Sequence, residues 1–440
     1  MKKFLLLFTS LLFSLIILSC EKEEQIIETI SPINLVDVFM GEDSTYNGVC
    51  IPTNKTTQML LGNKGYSKSD SLVSGFLVTH HSQNDESIHA QLSITTSVKP
   101  IKSFKDLQDD VMIVDPSTVI AEPGFFEVYL PENKTLAALT TGQNVAFQKY
   151  TFPDTNVANI IIDPNKVTDG KVVTSQLFTT SPRELQGYNI IQKGSKKEKI
   201  YFVIKITKDY GSFRIADHRS ITNKLKVTGR HTKGILTFQT NRNEAVEVKV
   251  GFSRKGLEEA KYNLRAESHN SFSLAVNNAQ NQWEATFDKF YLEGGSKVNQ
   301  SKFYTGIYQS HHLSPIKNDN LFIENPLIGL ISKNKSKTLK TGFVNFNSLD
   351  EVSYSNDSIN NEIYSLQSIG LTPLEGEKYK ITAPVFDRVS IDLFNGKNFV
   401  IEKKNRSKTP NEVSYNGNIL EDNIISEEQI LLGGILKVSL

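Results

Sequence analysis

The chain predicts a mainly β fold: a large antiparallel β-sandwich, a short helical linker and a small C-terminal β-domain. Three observations carry this reading. From about Ser31 to Arg254, short alternating or β-branched runs follow one another with polar turns between them and no intervening helical period. From Lys255 to Pro315 the apolar spacing changes to that of helices. After Gly370 the strand pattern returns and continues to the last residue. With 440 residues, 38% hydrophobic and 9% aromatic, the chain has the material for one large or two ordinary cores.

At the start, Lys2 and Lys3 precede an apolar run from Phe4 to Leu18, the layout of a secretory signal, expected over residues 1–19 with a tether over 20–30. The run is short for a permanent span, which leaves a signal-anchor helix as the alternative. Ser19-Cys20 resembles a bacterial lipobox, which implies cleavage before Cys20 and a lipid on that residue, giving the chain a membrane partner. Glu21-Lys22-Glu23-Glu24 resembles the tag of surface-exposed lipoproteins. The expected location is therefore the outer membrane, facing the cell surface or, alternatively, the periplasm. With Cys20 lipidated, Cys50 stands alone and no intrachain disulfide forms. Its apolar setting, Gly48-Val49-Cys50-Ile51-Pro52, predicts a buried, inert thiol.

The sandwich is expected over residues 31–255. Ser87 to Ile94 alternates strictly, and Val157 to Ile162, Ile200 to Ile206, Gly234 to Phe238 and Ala245 to Phe252 are strand-like runs bounded by turns. Lys196-Lys197-Glu198-Lys199 reads as a solvated turn. The linker, 256–315, begins with a helix carrying Leu257, Ala260, Tyr262 and Leu264. A second helix is expected from Ser271 to Leu292, with Ala279, Trp283, Phe287 and Phe290 on one face and Gly294-Gly295 ending it. Phe303, Ile307, Tyr308 and His311 form a further helical patch. Residues 316–369 are rich in Asn, Ser and Lys, as in Ser332 to Lys337, and their fold is not readable. In the last domain, 370–440, Val389 to Leu393 and Phe399 to Ile401 flank Asn395-Gly396, a hairpin signal, and Gly433 to Leu440 closes as a strand.

Lys and Arg number 49 against 48 Asp and Glu, a formal charge of +1, so no global field recruits nucleic acid. No phosphate-binding glycine loop or nucleic-acid stripe is present in the sequence either. Neutral partners such as sugars fit this balance.

Several motifs, taken in order, resemble glycoside hydrolase family 92, the calcium-dependent exo-acting α-mannosidases. They are Asn34 to Gly41, Gly65-Tyr66, Ser74 to His80, Glu122 to Val128, Val248 to Ser253, the Trp283 helix, Phe303 to His312, Leu366 to Pro373 and Tyr379 to Val389. The family's glycine- and histidine-rich loop after the opening motif is replaced here by Glu42 to Gly48. The resemblance implies a supersandwich of the galactose-mutarotase type, two linker helices and an (α/α)6 catalytic barrel that binds calcium. The 54 residues from Ile316 to Ile369 are too few for that barrel. Twelve helices of ordinary length with short loops need roughly 160.

Inverting glycoside hydrolysis takes one carboxylic acid and one carboxylate. The family's Asn-Asp-Asp motif is matched only by Asn356-Asp357-Ser358, which makes Asp357 the one weak catalytic candidate, with a solvated turn as the other reading. The substrate-binding set implied by the resemblance is Tyr66, His80, His81 and Asp85. His80 and His81, with Asp85, Glu86 and His89 nearby, leave three readings open: a sugar contact, a metal site and a structural polar loop. His311-His312 reads as a helix surface or packed end, and Trp283 as core. The expectation is a lipid-anchored, barrel-less family 92 relative that binds or scaffolds a glycan such as α-mannan, with the apolar face of the linker helices covered either by residues 316–369 or by a protein partner. The alternatives are an active α-mannosidase with relocated or partner-supplied carboxylates, and a purely structural envelope lipoprotein.

Overall fold

The computed structural model describes residues 30–40, 45–46, 48–52, 54–61, 66–80, 90–107, 111–167, 170–217, 220–312, 326–331, 364–374, 376–404 and 412–439. The fold is mainly β, built on two large antiparallel sheets. The nine-stranded sheet runs in the order Lys226–Gly229, Lys171–Ser181, Glu184–Lys193, Lys196–Ile206, Glu244–Ser253, Val145–Phe152, Thr135–Thr141, Phe125–Leu130 and Ile120–Glu122. The eight-stranded sheet runs Ile221–Thr222, Ser212–Ala216, Lys233–Thr240, Thr155–Asp163, Ala90–Ser97, Phe76–His80, Asn54–Leu61 and Val49–Ile51.

The period of two along each strand decides what lies between the sheets. Phe126, Val128 and Leu130 face inward from one sheet, as do Val246, Val248, Val250 and Phe252; Ile160, Ile162, Leu236 and Phe238 meet them from the other. The intervening residues face outward. Ile161 and Ile235, one step out of phase, join Ile101, Leu107 and Ala216 in a separate cluster on the outer face of the eight-stranded sheet. Lys196 to Lys199, expected as a solvated turn, is the start of a strand. The turn closes before it, where Lys193 pairs with Lys196 around Gly194, and the Lys199 ammonium lies 3.8 Å from the Tyr188 ring centre and 4.9 Å from that of Tyr201.

Helix α1, Leu257–Glu267, lays Ala260 and Leu264 on the outer face of the nine-stranded sheet against Ala138, Val145, Phe147 and Val203. Gly251 makes this approach feasible, since a Cβ there would stand 2.8 Å from that of Leu264. Helix α2, Phe272–Phe287, is capped by the Ser271 hydroxyl, which accepts the Leu274 amide at 3.2 Å. It stops at Phe287, short of the expected Leu292. Phe290–Glu293 is instead an edge strand paired antiparallel with Arg388–Asp392, so Phe290 reaches the core from a strand. Gly294 and Gly295, both at positive φ (77° and 70°), turn the chain out of that strand and into helix α3, Lys297–His312. Helix α4 is Pro326–Ile331.

The C-terminal region holds a six-stranded sheet in the order Phe290–Glu293, Arg388–Asp392, Asn398–Lys403, Gly434–Ser439, Glu412–Tyr415 and Asn418–Ile419. Its one parallel pair is Asn398–Lys403 with Gly434–Ser439. The predicted hairpin is present. Only Gly396 of the Asn395-Gly396 pair takes positive φ, while the Asn395 side chain accepts the Lys397 amide and donates to the Leu431 carbonyl. A three-stranded sheet of Leu371–Leu374, Lys378–Ile381 and Ile424–Ser426 completes the region. Residues from Leu35 to Val438, Trp283, Phe303 and Phe386 among them, share one apolar cluster, so the linker helices join the sandwich and the C-terminal sheet in a continuous core.

Candidate functional site

The helical linker fixes the surroundings of the expected site. Trp283 has no exposed surface; its ring stacks on Phe287 at 5.5 Å and lies 4.8 Å from Tyr308 and 5.2 Å from His311. Its indole N–H donates to the Cys50 carbonyl at 3.0 Å. Both residues are core, as their sequence settings predict, and burial pushes the Cys50 thiol far above the ordinary range, leaving it a poor nucleophile. His311 is a packed helix residue, its Nδ1 2.9 Å from the Ile307 carbonyl. On the neighbouring face of α3, the Thr305 hydroxyl accepts the Asp37 amide at 2.9 Å and the Gln309 amide group donates to the Met40 carbonyl at 2.8 Å. These two bonds clamp the opening segment, Pro32 to Met40, onto α3.

Of the expected substrate-binding set, Tyr66 alone has a described side chain. It is fully buried, edge-on to Phe39 and Phe126, with its hydroxyl donating to the Asp70 carbonyl at 3.1 Å. Burial first, then the charges of Asp70 and Asp115, raises its phenol above the ordinary value. A side chain with no exposed area offers a ligand nothing to touch, so the structure gives Tyr66 the place of a core brace. His80 ends its strand with backbone partners Thr57 and Ala90, four residues beyond the Phe76–Leu61 pair. His81, Asp85, Glu86, His89, the candidate Asp357 and the lipidation candidate Cys20 lie outside the described residues.

A polar constellation that the sequence reading passed over sits on the outer face of the eight-stranded sheet. Ile162 pairs with Gly234, so Asp163 and Lys233 face each other one step further on, both pointing outward. The Lys233 ammonium lies 3.2 Å from Asp163 Oδ2 and donates to the Leu107 carbonyl at 3.0 Å, with both charged side chains over nine-tenths buried. Asp163 Oδ1 accepts the backbone and side-chain N–H groups of Asn165, each at 2.8 Å. Asn165 also donates to the Thr232 carbonyl at 2.7 Å and accepts the Ser175 hydroxyl at 3.2 Å. These residues border a cavity of about 410 Å³ lined by Phe104, Leu107, Asp163, Asn165, Lys166, His231 and Lys233. Among the described lining residues Asp163 is the one carboxylate and is paired with the Lys233 ammonium, whereas the acid and base of glycoside cleavage are two carboxyl groups. Among the described residues, no three His, Cys, Asp or Glu side chains gather as a metal would require. The available signal was Asp163-Pro164-Asn165 at the end of an apolar strand; Lys233 is seventy positions away, and nothing local announces the pairing.

The N-terminal domain of glycosyl hydrolase family 92 matches residues 35–253, and the catalytic domain of the same family matches residues 259–350 and 361–440. The chain belongs to glycosyl hydrolase family 92. Family 92 structures share its fold. A family 92 α-mannosidase from Bacteroides thetaiotaomicron superposes with a TM-score of 0.74 at 13% identity over 93% of this chain and 94% of its own, and has also been solved with mannoimidazole bound. A family 92 inverting mannosidase from the same organism gives 0.70 at 11% identity, covering 94% and 97%. No protein of curated function matches the sequence. Asp357 falls in the break between the two matched stretches of the family 92 catalytic domain.

Proposed function

We propose that this family 92 chain is a lipid-anchored, envelope-exposed protein that has lost the catalytic barrel and binds glycans, α-mannan being the first candidate, without hydrolysing them. One observation carries the reading. Helix α3 ends at His312, and from residue 364 the chain is again part of the core that holds the C-terminal sheet, with Leu366, Ile369 and Leu371 buried beside Phe303 and Leu327. The intervening stretch is about a third of the roughly 160 residues that twelve helices with short loops would need. Asp357 alone could not serve as both acid and base. The membrane attachment rests on Cys20 and the residues around it.

The test is release of free mannose from α-linked mannobioses and mannan by residues 21–440, with calcium present and a boiled control. No release, together with retention of the chain on immobilised mannan, is expected. The match to the family 92 catalytic domain favours a second reading, an active α-mannosidase whose carboxylates lie elsewhere or come from a partner. Calcium-dependent release abolished by Asp357→Asn would establish that reading and overturn the first.

A further inference from the structure

We propose that the outer face of the C-terminal six-stranded sheet is an interface through which two copies of this chain pair about a two-fold axis. The period of two sends Val389, Ile391, Phe399, Ile401 and Leu436 into the core. The residues between them face the other way, and the register aligns them in rows across four strands. One row is Tyr291, Ser390, Val400 and Ile435. The next is Glu293, Arg388, Glu402 and Lys437, whose charges alternate in sign. Asp392 and Asn398 pair on the far side of the Tyr291 row. Tyr291 is 59% exposed and Ile435 38%, so both ends of the apolar row are accessible.

The order of the charges selects the occupant. A two-fold axis in the plane of the face, parallel to the strands and between Arg388–Asp392 and Asn398–Lys403, reverses each row while keeping its level along the strands. A row that reads minus, plus, minus, plus then faces its own opposite. Glu293 of one copy meets Lys437 of the other, and Arg388 meets Glu402, each contact occurring twice. At the next level Tyr291 lies over Ile435, and at the one beyond Asp392 lies over Asn398. Aligned packing of two sheets supplies the geometry. Within one chain the Glu402 and Lys437 charges are 4.0 Å apart and partly exposed, a pair worth little by itself. The patch measures roughly 19 by 17 Å, from strands about 4.8 Å apart and residues about 3.4 Å long. That is smaller than the roughly 800 Å² per partner of a standard interface, so the dimer is weak and sensitive to salt.

The experiment is sedimentation equilibrium of residues 21–440, a form that keeps every described element, at about 1 to 100 μM. A reversible dimer is expected at the upper concentrations, weakening about tenfold between about 0.05 and 0.5 M salt. Arg388→Glu sets a carboxylate against Glu402 of the other copy, and Glu402→Arg sets a guanidinium against Arg388. Each variant alone should dimerise about tenfold or more weakly than wild type. Mixed together, the two variants should pair with each other, because every contact in the row is again between opposite charges. Arg388 is exposed and Glu402 partly so, and both variants should fold, which their melting temperatures check. Tyr291→Ala leaves the charges in place and should also weaken the dimer. A monomer at every concentration, a dimer indifferent to salt or to these variants, or no pairing in the mixture would each overturn the proposal. Glycan binding is a separate property, and its outcome leaves this one unaffected.

Discussion

The Trp283 indole N–H and the Cys50 carbonyl, 233 positions apart in sequence, meet at 3.0 Å in a fully dry contact. Through this bond the linker helix α2 holds the edge strand Val49–Ile51 of the sandwich. Trp283→Phe keeps most of the packing and deletes the donor, leaving a buried carbonyl without it. A loss of about 1–3 kcal/mol of unfolding free energy is expected. Urea denaturation followed by far-ultraviolet circular dichroism checks this, with the midpoint falling and the slope unchanged.

Gly294 sits at φ 77°, and an added Cβ would stand 2.1 Å from the Asp387 carboxylate. Gly294→Ala should therefore cost about 1–3 kcal/mol from backbone strain alone. The clash adds to this, and Gly294→Ala/Asp387→Ala should recover the steric part while retaining the backbone part. Thermal unfolding of the three variants separates the two contributions.

The buried ion pair predicts an asymmetry. Lys233→Met strands the Asp163 carboxylate away from water and should destabilise by about 3–5 kcal/mol. Asp163→Asn/Lys233→Met removes the stranded charge and should be less destabilised than Lys233→Met. A double-mutant cycle in urea tests the order, and a double variant weaker than Lys233→Met would contradict it.

Glu267 gives a pH signature. Burial raises its carboxyl above the ordinary 4.5, against the lowering effect of the Asn144 and Gln143 amides that it accepts. The folded chain therefore holds this proton more tightly than the unfolded one. Its contribution to stability is fully present below pH 4.5 and is lost as pH rises through the elevated folded value. Glu244 has the opposite sign, lowered chiefly by the Lys208 hydrogen bond, so a raw profile mixes the two. The difference in unfolding free energy between wild type and Glu267→Gln should fall with rising pH above 4.5. A difference that rises or stays level would refute the assignment.

The strands of the sandwich were legible because burial on one face imposes a period of two, visible in Thr155–Asp163 and Glu244–Ser253 without any knowledge of their partners. Phe290 shows where that reasoning stops. It continues the helical spacing of Ala279, Trp283 and Phe287, yet pairing with Ile391 outweighs local periodicity and makes it a strand residue. Tyr66 shows a second limit: a motif places a residue in the chain, but only packing against Phe39 and Phe126 decides whether it faces solvent. The Asp163–Lys233 cluster was invisible for the same reason, since each partner alone is an ordinary charged residue at a strand end.

The edge strand Phe290–Glu293 has one further consequence, for a severed chain. It belongs to the linker by sequence and to the C-terminal sheet by hydrogen bonding, with the Glu293 carbonyl also accepting the Asp387 amide and the Lys289 carbonyl the Asp392 amide. A protease cut anywhere between Ile331 and Tyr364 would leave this strand on one fragment and its ladder partner on the other. The two halves would remain a non-covalent complex, zipped by four backbone pairs and sealed by Phe303 against Phe386. In a gel without denaturant the nicked protein would still migrate as one species.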